Sequence, residues 1–204
     1  MAIFASKTTN IMNNLAIFAS GNGSNAENII RHFKGSNIAD VKIVICNKET
    51  APVIEKARNL GVDTVILPRE ELTNENPATL LTLLQQHNIE TIILAGYLLK
   101  IPQILTSTYK DKIINIHPAL LPKFGGKGMY GMNVHNAVKD SCESETGITI
   151  HLVDAVYDNG KILFQAKCPV FPTDSPQQIA NKVHALEQEH FPQVIESYLR
   201  QLLF

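Results

Sequence analysis

Short apolar runs alternate along this chain with longer stretches in which apolar residues recur every three or four positions. Runs of the first kind are typical of buried strands, and stretches of the second kind are typical of amphipathic helices. We predict strands at residues 15–20, 41–46, 63–67, 90–95, 112–118, 146–153 and 161–167. We predict a first helix that follows the glycine loop and runs through Phe33, and further helices at residues 52–60, 77–87, 102–109, 133–139 and 175–189. This alternation predicts an α/β fold with a mostly parallel central sheet flanked by helices.

The two ends of the chain interrupt this regular pattern. Pro192 is expected to end the last long helix before a final short one, because proline lacks an amide proton and clashes with the preceding turn. The sequence Ala-Ile-Phe-Ala-Ser occurs at residues 2–6 and again at residues 16–20, and only the second copy leads into a glycine-rich loop. We therefore predict one Rossmann-like domain at residues 15–204, preceded by an extension at residues 1–14 that we expect to be disordered.

Composition narrows the class of protein. The chain has 204 residues, of which 45% are hydrophobic and 18% charged, so a single domain can enclose both a core and a cleft. Its net charge of -1 predicts no basic surface for nucleic acid, and no apolar run approaches the roughly 20 residues that span a membrane. Cys46, Cys142 and Cys168 are scattered, which indicates neither a disulfide framework nor a cysteine zinc site. We expect a reducing cytoplasm as the compartment.

The predicted strand at residues 112–118 ends with two polar side chains. Residues i and i+2 of a strand point to the same side, about 6.5 Å apart, so Asn115 and His117 face one way. An amide beside a protonated imidazole supplies two donors to one oxygen, an arrangement that stabilises an oxyanion. Ligands bind at the carboxyl ends of strands in open α/β sheets. The alternative is that His117 is a hydrogen-bonded residue at a strand end and Asn115 a capping side chain.

A glycine loop, Gly-Asn-Gly-Ser-Asn at residues 21–25, joins the first strand to the first helix. Glycines allow positive φ and close backbone approach, Ser24 or Asn25 can cap the helix, and the amides at its start attract an anion, most naturally phosphate. The loop also matches a loose dinucleotide-binding pattern. That alternative requires an acid at the end of the second strand, and Glu49 stands too late. A plain turn between strand and helix is the remaining interpretation.

Three other segments carry candidate binding or catalytic groups. Residues 96–100 place a glycine, an aromatic ring and two leucines after a strand, where they either line a slot for a flat ring or belong to the core. The glycine-rich residues 125–131 are typical of a mobile loop or lid. Asp158 precedes an Asn-Gly pair, a strong hairpin signal, so it is either a turn residue or an acid at the site. His151, inside a strand, is predicted to be a hydrogen-bonded structural residue.

Together these motifs resemble the phosphoribosylglycinamide formyltransferases of purine biosynthesis. The resemblance covers the chain from residue 15 to the C-terminus and implies a formyltransferase fold. The Asn-x-His-Pro block is common to folate-dependent formyltransferases and hydrolases, whereas the glycine loop points to an acceptor that carries a phosphate. The motifs are the glycine loop at residues 21–25, Leu-Ala-Gly-Tyr at 94–97, Asn-Ile-His-Pro-Ala-Leu-Leu-Pro-Lys at 115–123 and Asp-Asn-Gly at 158–160.

The resemblance implies that a formyl group passes from 10-formyltetrahydrofolate to the primary amine of glycinamide ribonucleotide by direct attack, without a metal. It implies small-molecule substrates, no nucleic acid or membrane partner, and a monomer or homodimer. The implied catalytic residues are Asn115 and His117, which hold the oxyanion, and Asp158, which favours the imidazolium and assists proton transfer. The implied binding residues are Gly23, Ser24 and Asn25 for the acceptor phosphate, Glu187 for the ribonucleotide, and Tyr97, Leu98, Leu99, Lys100 and Asp154 for folate.

The sequence departs from the family's usual pattern in the spacing of residues 125–131 and at Leu99, where arginine is common. Formyltetrahydrofolate hydrolase is disfavoured because it would bring a regulatory domain before residue 15. Methionyl-tRNA formyltransferase is disfavoured because it would bring a C-terminal RNA-binding domain and a basic surface. A non-catalytic nucleotide-binding module is the third alternative, and the presence of all three implied catalytic residues disfavours it.

Overall fold

The computed structural model describes residues 12–202, and within them the strands form one seven-stranded sheet. The strands are β1 (Asn13–Ala19), β2 (Ala39–Cys46), β3 (Asp63–Ile66), β4 (Thr91–Leu94), β5 (Ile113–His117), β6 (Glu145–Leu152) and β7 (Ile162–Pro169). Their order across the sheet is β3-β2-β1-β4-β5-β6-β7. The first five are parallel, and β6 and β7 each run antiparallel to the preceding strand. The predicted mostly parallel α/β fold is therefore confirmed.

Seven helices within residues 12–202 flank this sheet. They are α1 (Ser24–Phe33), α2 (Pro52–Asn59), α3 (Arg69–Thr73), α4 (Ala78–Gln86), α5 (Gln103–Thr108), α6 (Met132–Asp140) and α7 (Pro176–Leu202). The sequence analysis did not predict α3, whose single apolar anchor, Leu72, is fully buried. A five-residue helix with one buried side chain shows no periodicity that a sequence window could detect.

The predicted helix break at Pro192 is wrong, because α7 continues through this residue to Leu202. Proline cannot donate to the carbonyl four residues earlier, which belongs to Gln188. In this fold the Gln188 carbonyl accepts a hydrogen bond from Nδ2 of Asn28 on α1 at 2.7 Å. A side chain from a neighbouring helix thus replaces the missing amide, and the helix does not need to end.

The start of the domain also differs slightly from the prediction. β1 begins at Asn13, two residues before the predicted boundary, because the amide of Asn13 donates to the carbonyl of Ile38 at 2.9 Å. Asn13 and Asn14 are polar and give no hydrophobic signal, so the sequence predicts a later start for β1. Residues 1–11 of the predicted extension, including the first Ala-Ile-Phe-Ala-Ser copy, lie outside the described residues.

Both faces of the sheet are covered, which explains the continuous apolar run of β1. Leu15 and Ile17 pack in a cluster with residues of α1, α2, α6 and α7. Ala16 and Phe18 face the other side and pack with residues of α3, α4 and α5. No helix within residues 12–202 is both long and apolar enough to cross a lipid bilayer.

The order of the strands determines where a ligand can bind. The chain proceeds outward from β1 to β2 and β3 on one side, and from β4 to β5 on the other. The loops that follow β1 and β4 therefore leave the sheet in opposite directions and open a crevice at the carboxyl ends of these strands, the usual ligand site of such sheets. The amide of Ser20 and the carbonyl of Gly96, 3.1 Å apart, join the two loops beside this crevice.

Candidate active site

The end of β5 presents the two polar side chains that the sequence placed together. Asn115 and His117 lie on the same side of the strand, two positions apart. The antiparallel register of β6 places His151 opposite Asn115 and Thr149 opposite His117. His117 is 3% exposed and Asn115 is half-buried, so both belong to the crevice wall rather than to the open surface.

Both ring nitrogens of His117 face groups from later loops. Nε2 lies 2.8 Å from the carbonyl oxygen of Phe124, which fixes a proton on Nε2. Nδ1 faces Oδ2 of Asp158 at 3.6 Å, beyond hydrogen-bonding distance but within the range of an ion pair. Burial lowers the pKa of His117 and outweighs the opposing effects of Asp158 and the Phe124 carbonyl. Burial thus favours the neutral imidazole, and a second proton would enter at Nδ1.

Asp158 lies between two histidines, although the sequence left open whether it is only a turn residue. Its side chain is 13% exposed, with Oδ2 near His117 and Oδ1 3.6 Å from Nε2 of His151. Oδ2 also accepts the amide hydrogen of Gly126 at 2.8 Å. Burial raises the pKa of this carboxyl, but the nearby His151 ring, the hydrogen bond from Gly126 and the nearby His117 ring lower it on balance. The carboxylate is consequently ionised at neutral pH.

The loop that carries Asp158 is held close to the sheet by its backbone. Asp158 itself has φ of 51°, a strained conformation of the kind that clusters at functional sites. A Cβ on Gly160 would lie 1.8 Å from the carbonyl oxygen of Leu152, so only glycine permits the loop to pass this closely over β6. The loop that contains the Asn-Gly pair joins the antiparallel strands β6 and β7, and it places the Asp158 carboxylate beside His117 and His151.

His151 is the site residue whose contacts the sequence did not reveal. It is hydrogen-bonded, as predicted, with Nδ1 donating to the Leu152 carbonyl at 2.8 Å. With the proton on Nδ1, Nε2 accepts from Nδ2 of Asn115 at 3.0 Å. Because this contact orients the Asn115 amide, His151 is a positioning residue for the end of β5. Only the register between β5 and β6 could have identified it.

The glycine loop lies at the carboxyl end of β1, the edge of the sheet at which ligands usually bind. Gly23 is the N-cap of α1, with φ of 78°, and no side chain caps the helix. The predicted capping by Ser24 or Asn25 is therefore wrong, because both residues are already inside the first turn. The first-turn amides of a helix have no intrahelical partner, and the helix dipole favours an anion beside them. A Cβ on Gly23 would lie 2.5 Å from the Val53 side chain, which explains why a glycine occupies this position.

Asn25 and Glu187 connect the first and last helices beside this loop. Nδ2 of Asn25 donates to Oε2 of Glu187 at 2.9 Å, and Oδ1 of Asn25 accepts from Gln188 at 2.7 Å. His184 lies 3.3 Å from the same Glu187 oxygen, and this contact raises the pKa of His184. The carboxylate of Glu187 is thus fixed next to the predicted phosphate site.

His135 on α6, which no sequence motif identified, lies near His117 and Glu187. It is 6% exposed on α6, and its Nδ1 has no hydrogen-bond partner among residues 12–202. Burial lowers its pKa, and the nearby Glu187 carboxylate only partly opposes this effect. His135 therefore adds a neutral polar ring near both His117 and Glu187.

The predicted folate segment after β4 divides between core and surface. Tyr97 packs edge-on against Phe18 with ring centroids 5.4 Å apart, and Leu99 joins the same apolar cluster. Burial raises the pKa of Tyr97, whose hydroxyl has no partner in the described part of the chain. Leu98 and Lys100 are exposed and alternate with these two. The core interpretation thus holds for Tyr97 and Leu99, and the slot for a flat ring stays a prediction.

Asp154, also predicted to border folate, makes contacts within its own loop. Its carboxylate accepts the amide hydrogen of Val156 at 2.8 Å and faces Nδ2 of Asn159 at 3.3 Å. Val156 and Tyr157 are exposed apolar side chains on this loop. The loop therefore offers apolar surface, while a direct folate contact from Asp154 stays a prediction.

The glycine-rich residues 125–131 begin directly at the site. The Phe124 carbonyl binds His117, and the Gly126 amide binds Asp158. Their predicted role as a lid stays a prediction, but any displacement of this segment would alter the hydrogen bonds of both groups. No set of three or more His, Cys, Asp or Glu side chains within residues 12–202 is arranged to hold a metal ion.

The chain is similar to one known protein family and to several individual proteins. A family model described as formyl transferase matches residues 13–195. The phosphoribosylglycinamide formyltransferase of Bacillus subtilis (strain 168) is 37% identical over 193 residues, covering 92% of this chain and 95% of that protein. The chloroplastic phosphoribosylglycinamide formyltransferase of Arabidopsis thaliana is 41% identical over 180 residues, covering 86% of this chain and 61% of that protein. The chain thus spans about three-fifths of the length of its plant relatives, 61% and 60%.

Solved structures agree with these sequence relatives. The glycinamide ribonucleotide transformylase 1 of Geobacillus kaustophilus superimposes with a TM-score of 0.83 at 34% identity, covering 95% of this chain and all of that chain. The phosphoribosylglycinamide formyltransferase of Bacillus halodurans gives a TM-score of 0.83 at 29% identity, covering 92% of this chain and 95% of that one. From the matching family model, the sequence relatives and the shared fold, we conclude that this chain belongs to the formyl transferase family.

Proposed function

We propose that this protein transfers a formyl group from 10-formyltetrahydrofolate to the primary amine of glycinamide ribonucleotide in purine biosynthesis. The observation that carries the proposal is the approach of Asp158 to His117 beside Asn115, together with the uncapped first turn of α1 after β1. Relatives named phosphoribosylglycinamide formyltransferase support this choice of substrate. We further propose that the protein acts in the cytoplasm.

The acceptor would bind along the wall formed by α1 and α7. Its phosphate would accept hydrogen bonds from the amides of Gly23, Ser24 and Asn25, where the helix dipole adds a favourable field. The Glu187 carboxylate, only 14% exposed, would accept from hydroxyl groups of the ribose. The remaining glycinamide arm would then extend toward β5, which orients its amine to attack.

Asn115 and His117 would stabilise the oxygen of the formyl group as it becomes negative. One amide hydrogen of Asn115 points to His151, which leaves the second available to the substrate. His117 can donate from Nδ1 only after it gains a proton there, and the developing negative charge together with Asp158 favours that proton. Donors fixed in advance in a buried site stabilise such charge at little reorganisation cost.

Asp158 would transfer the proton of the attacking amine to the departing folate nitrogen. As the amine bonds to the formyl carbon it must lose a proton, and the departing folate nitrogen must gain one. An ionised carboxylate beside the site can accept the first proton through a bound water and return it to the leaving nitrogen. Because the amine is the nucleophile, no covalent intermediate with the protein forms.

The folate donor would occupy the apolar surface at the ends of the β4 and β6 loops. Leu98, Val156 and Tyr157 are exposed apolar side chains in these two loops. A pterin ring is flat and largely apolar on its faces, so it fits such a surface. The exposed Lys100 is suited to the anionic end of the donor.

The direct test is an assay of the purified protein with 10-formyltetrahydrofolate, with and without glycinamide ribonucleotide. We expect loss of the formyl donor to require the acceptor, and the product amine to carry one formyl group by mass spectrometry. Equal loss of donor in the absence of acceptor would contradict the proposal and favour a hydrolase. Binding of both substrates with no transfer would instead indicate a non-catalytic module.

A further inference from the structure

One cation from α2 reaches the glycine loop. Nζ of Lys56 lies 2.8 Å from Oδ1 of Asn22, in the loop itself, and 3.4 Å from Oε2 of Glu27 in the first turn of α1. About a third of the Lys56 side chain, 32%, is exposed. The partly exposed ammonium group of Lys56 therefore lies beside the glycine loop and the first turn of α1.

The backbone fixes the position of α2 relative to this loop. The amide of Val53 donates to the carbonyl of Gly21 at 3.3 Å, and the Val53 side chain occupies the space that a Cβ on Gly23 would need. Lys56 lies three residues after Val53 and so projects from the same face of the helix. The packing of α2 against the loop therefore determines where Lys56 lies.

A cation beside the loop would offset the negative charges that surround it. Both carboxylates that border it, Glu27 and Glu187, would repel a phosphate, and His184 is already paired with Glu187. Glu27 is held mainly by Arg31 at 2.9 Å, and this hydrogen bond lowers the pKa of Glu27 more than Lys56 does. Lys56 can consequently turn from Glu27 to a ligand without leaving that carboxylate unpaired.

We propose that Lys56 binds the phosphate of the acceptor and so selects a phosphorylated acceptor over an unphosphorylated one. The inference rests on the proposed function, because it assigns a further binding residue to the same site. Asn22 and Glu27 hold the ammonium in place before the acceptor arrives, and the phosphate oxygens then replace them. A charge-assisted hydrogen bond of this kind is stronger than the neutral contact with Asn22 that it replaces.

The test compares Lys56→Met with Arg58→Met, a matched loss of one charge from the same helix. Arg58 donates to Thr64 at 2.9 Å and makes no contact with the loop. We expect Lys56→Met to raise KM for glycinamide ribonucleotide by about 10- to 100-fold, the range for a charge-assisted hydrogen bond, with a far smaller effect on kcat. Arg58→Met should stay within about twofold of the wild type, and Lys56→Arg should recover most of the lost affinity.

Inorganic phosphate, used as a competitive inhibitor and as a calorimetric ligand, measures the same contact without catalysis. Its binding should weaken in Lys56→Met and stay unchanged in Arg58→Met. Equal acceptor KM values for the two variants, or equal phosphate binding, would overturn the role of Lys56. An inactive wild type would overturn the proposed function, and the calorimetric comparison would still decide whether Lys56 binds the anion.

Discussion

Replacing Asp158 with asparagine is expected to lower kcat by about 10³-fold, within the range of general acid–base catalysis, with little change in acceptor KM. The amide keeps the size of the carboxylate and can still accept the Gly126 amide hydrogen, so the loop should keep its conformation. What it loses is the negative charge near His117 and the ability to accept a proton. Steady-state kinetics at saturating donor and acceptor measure the effect.

Two further measurements separate this loss from a general effect of charge. Asp140→Asn, on the exposed end of α6, is the matched control and should retain near-normal turnover. The pKa of His117, followed by NMR, should fall further in Asp158→Asn, because the carboxylate is a cause that raises it. If Asp158→Asn kept near-normal kcat, Asp158 would be a turn residue rather than a participant in the reaction.

Replacing Asn115 with alanine should lower kcat by about 10²- to 10³-fold, the usual effect of removing one oxyanion donor. The amide would contact the formyl oxygen only as charge develops, so the loss should fall on kcat and kcat/KM equally. Single-turnover rates with a saturating acceptor separate this chemical step from product release.

Asn136→Ala, on an exposed position of α6, is the control for loss of an asparagine amide. Asn115→Asp keeps the shape of the side chain but replaces a donor with a negative acceptor, so it should be at least as impaired as Asn115→Ala. A loss of less than about fivefold in Asn115→Ala, far below the effect of a true oxyanion donor, would exclude this role.

Local patterns were sufficient for much of the fold and for parts of the site. The period-two rule correctly put Asn115 and His117 on one side of β5, since this needs only the strand assignment. The glycine loop correctly predicted a strand, a turn and a helix, because each of these is fixed by nearby residues. The motif order also led to the formyl transferase family, which the family model confirms.

Contacts between distant segments were not predictable from such patterns. The position of His151 opposite Asn115 depends on the register between β5 and β6, which a single sequence does not encode locally. The same limit explains the error at Pro192, where a side chain of α1 satisfies a carbonyl of α7. Asn25 suited a helix cap by residue type, yet its side chain binds Glu187 instead.

A crystal structure of the protein with glycinamide ribonucleotide and an unreactive analogue of the formyl donor tests the central claim most directly. We expect the phosphate at the first-turn amides of α1 and the acceptor amine facing the analogue's one-carbon group, with that group within hydrogen-bonding distance of Asn115 and His117. Asp158 should lie within one water molecule of the amine. A complex in which the acceptor amine lies away from Asn115, His117 and Asp158 would contradict the account.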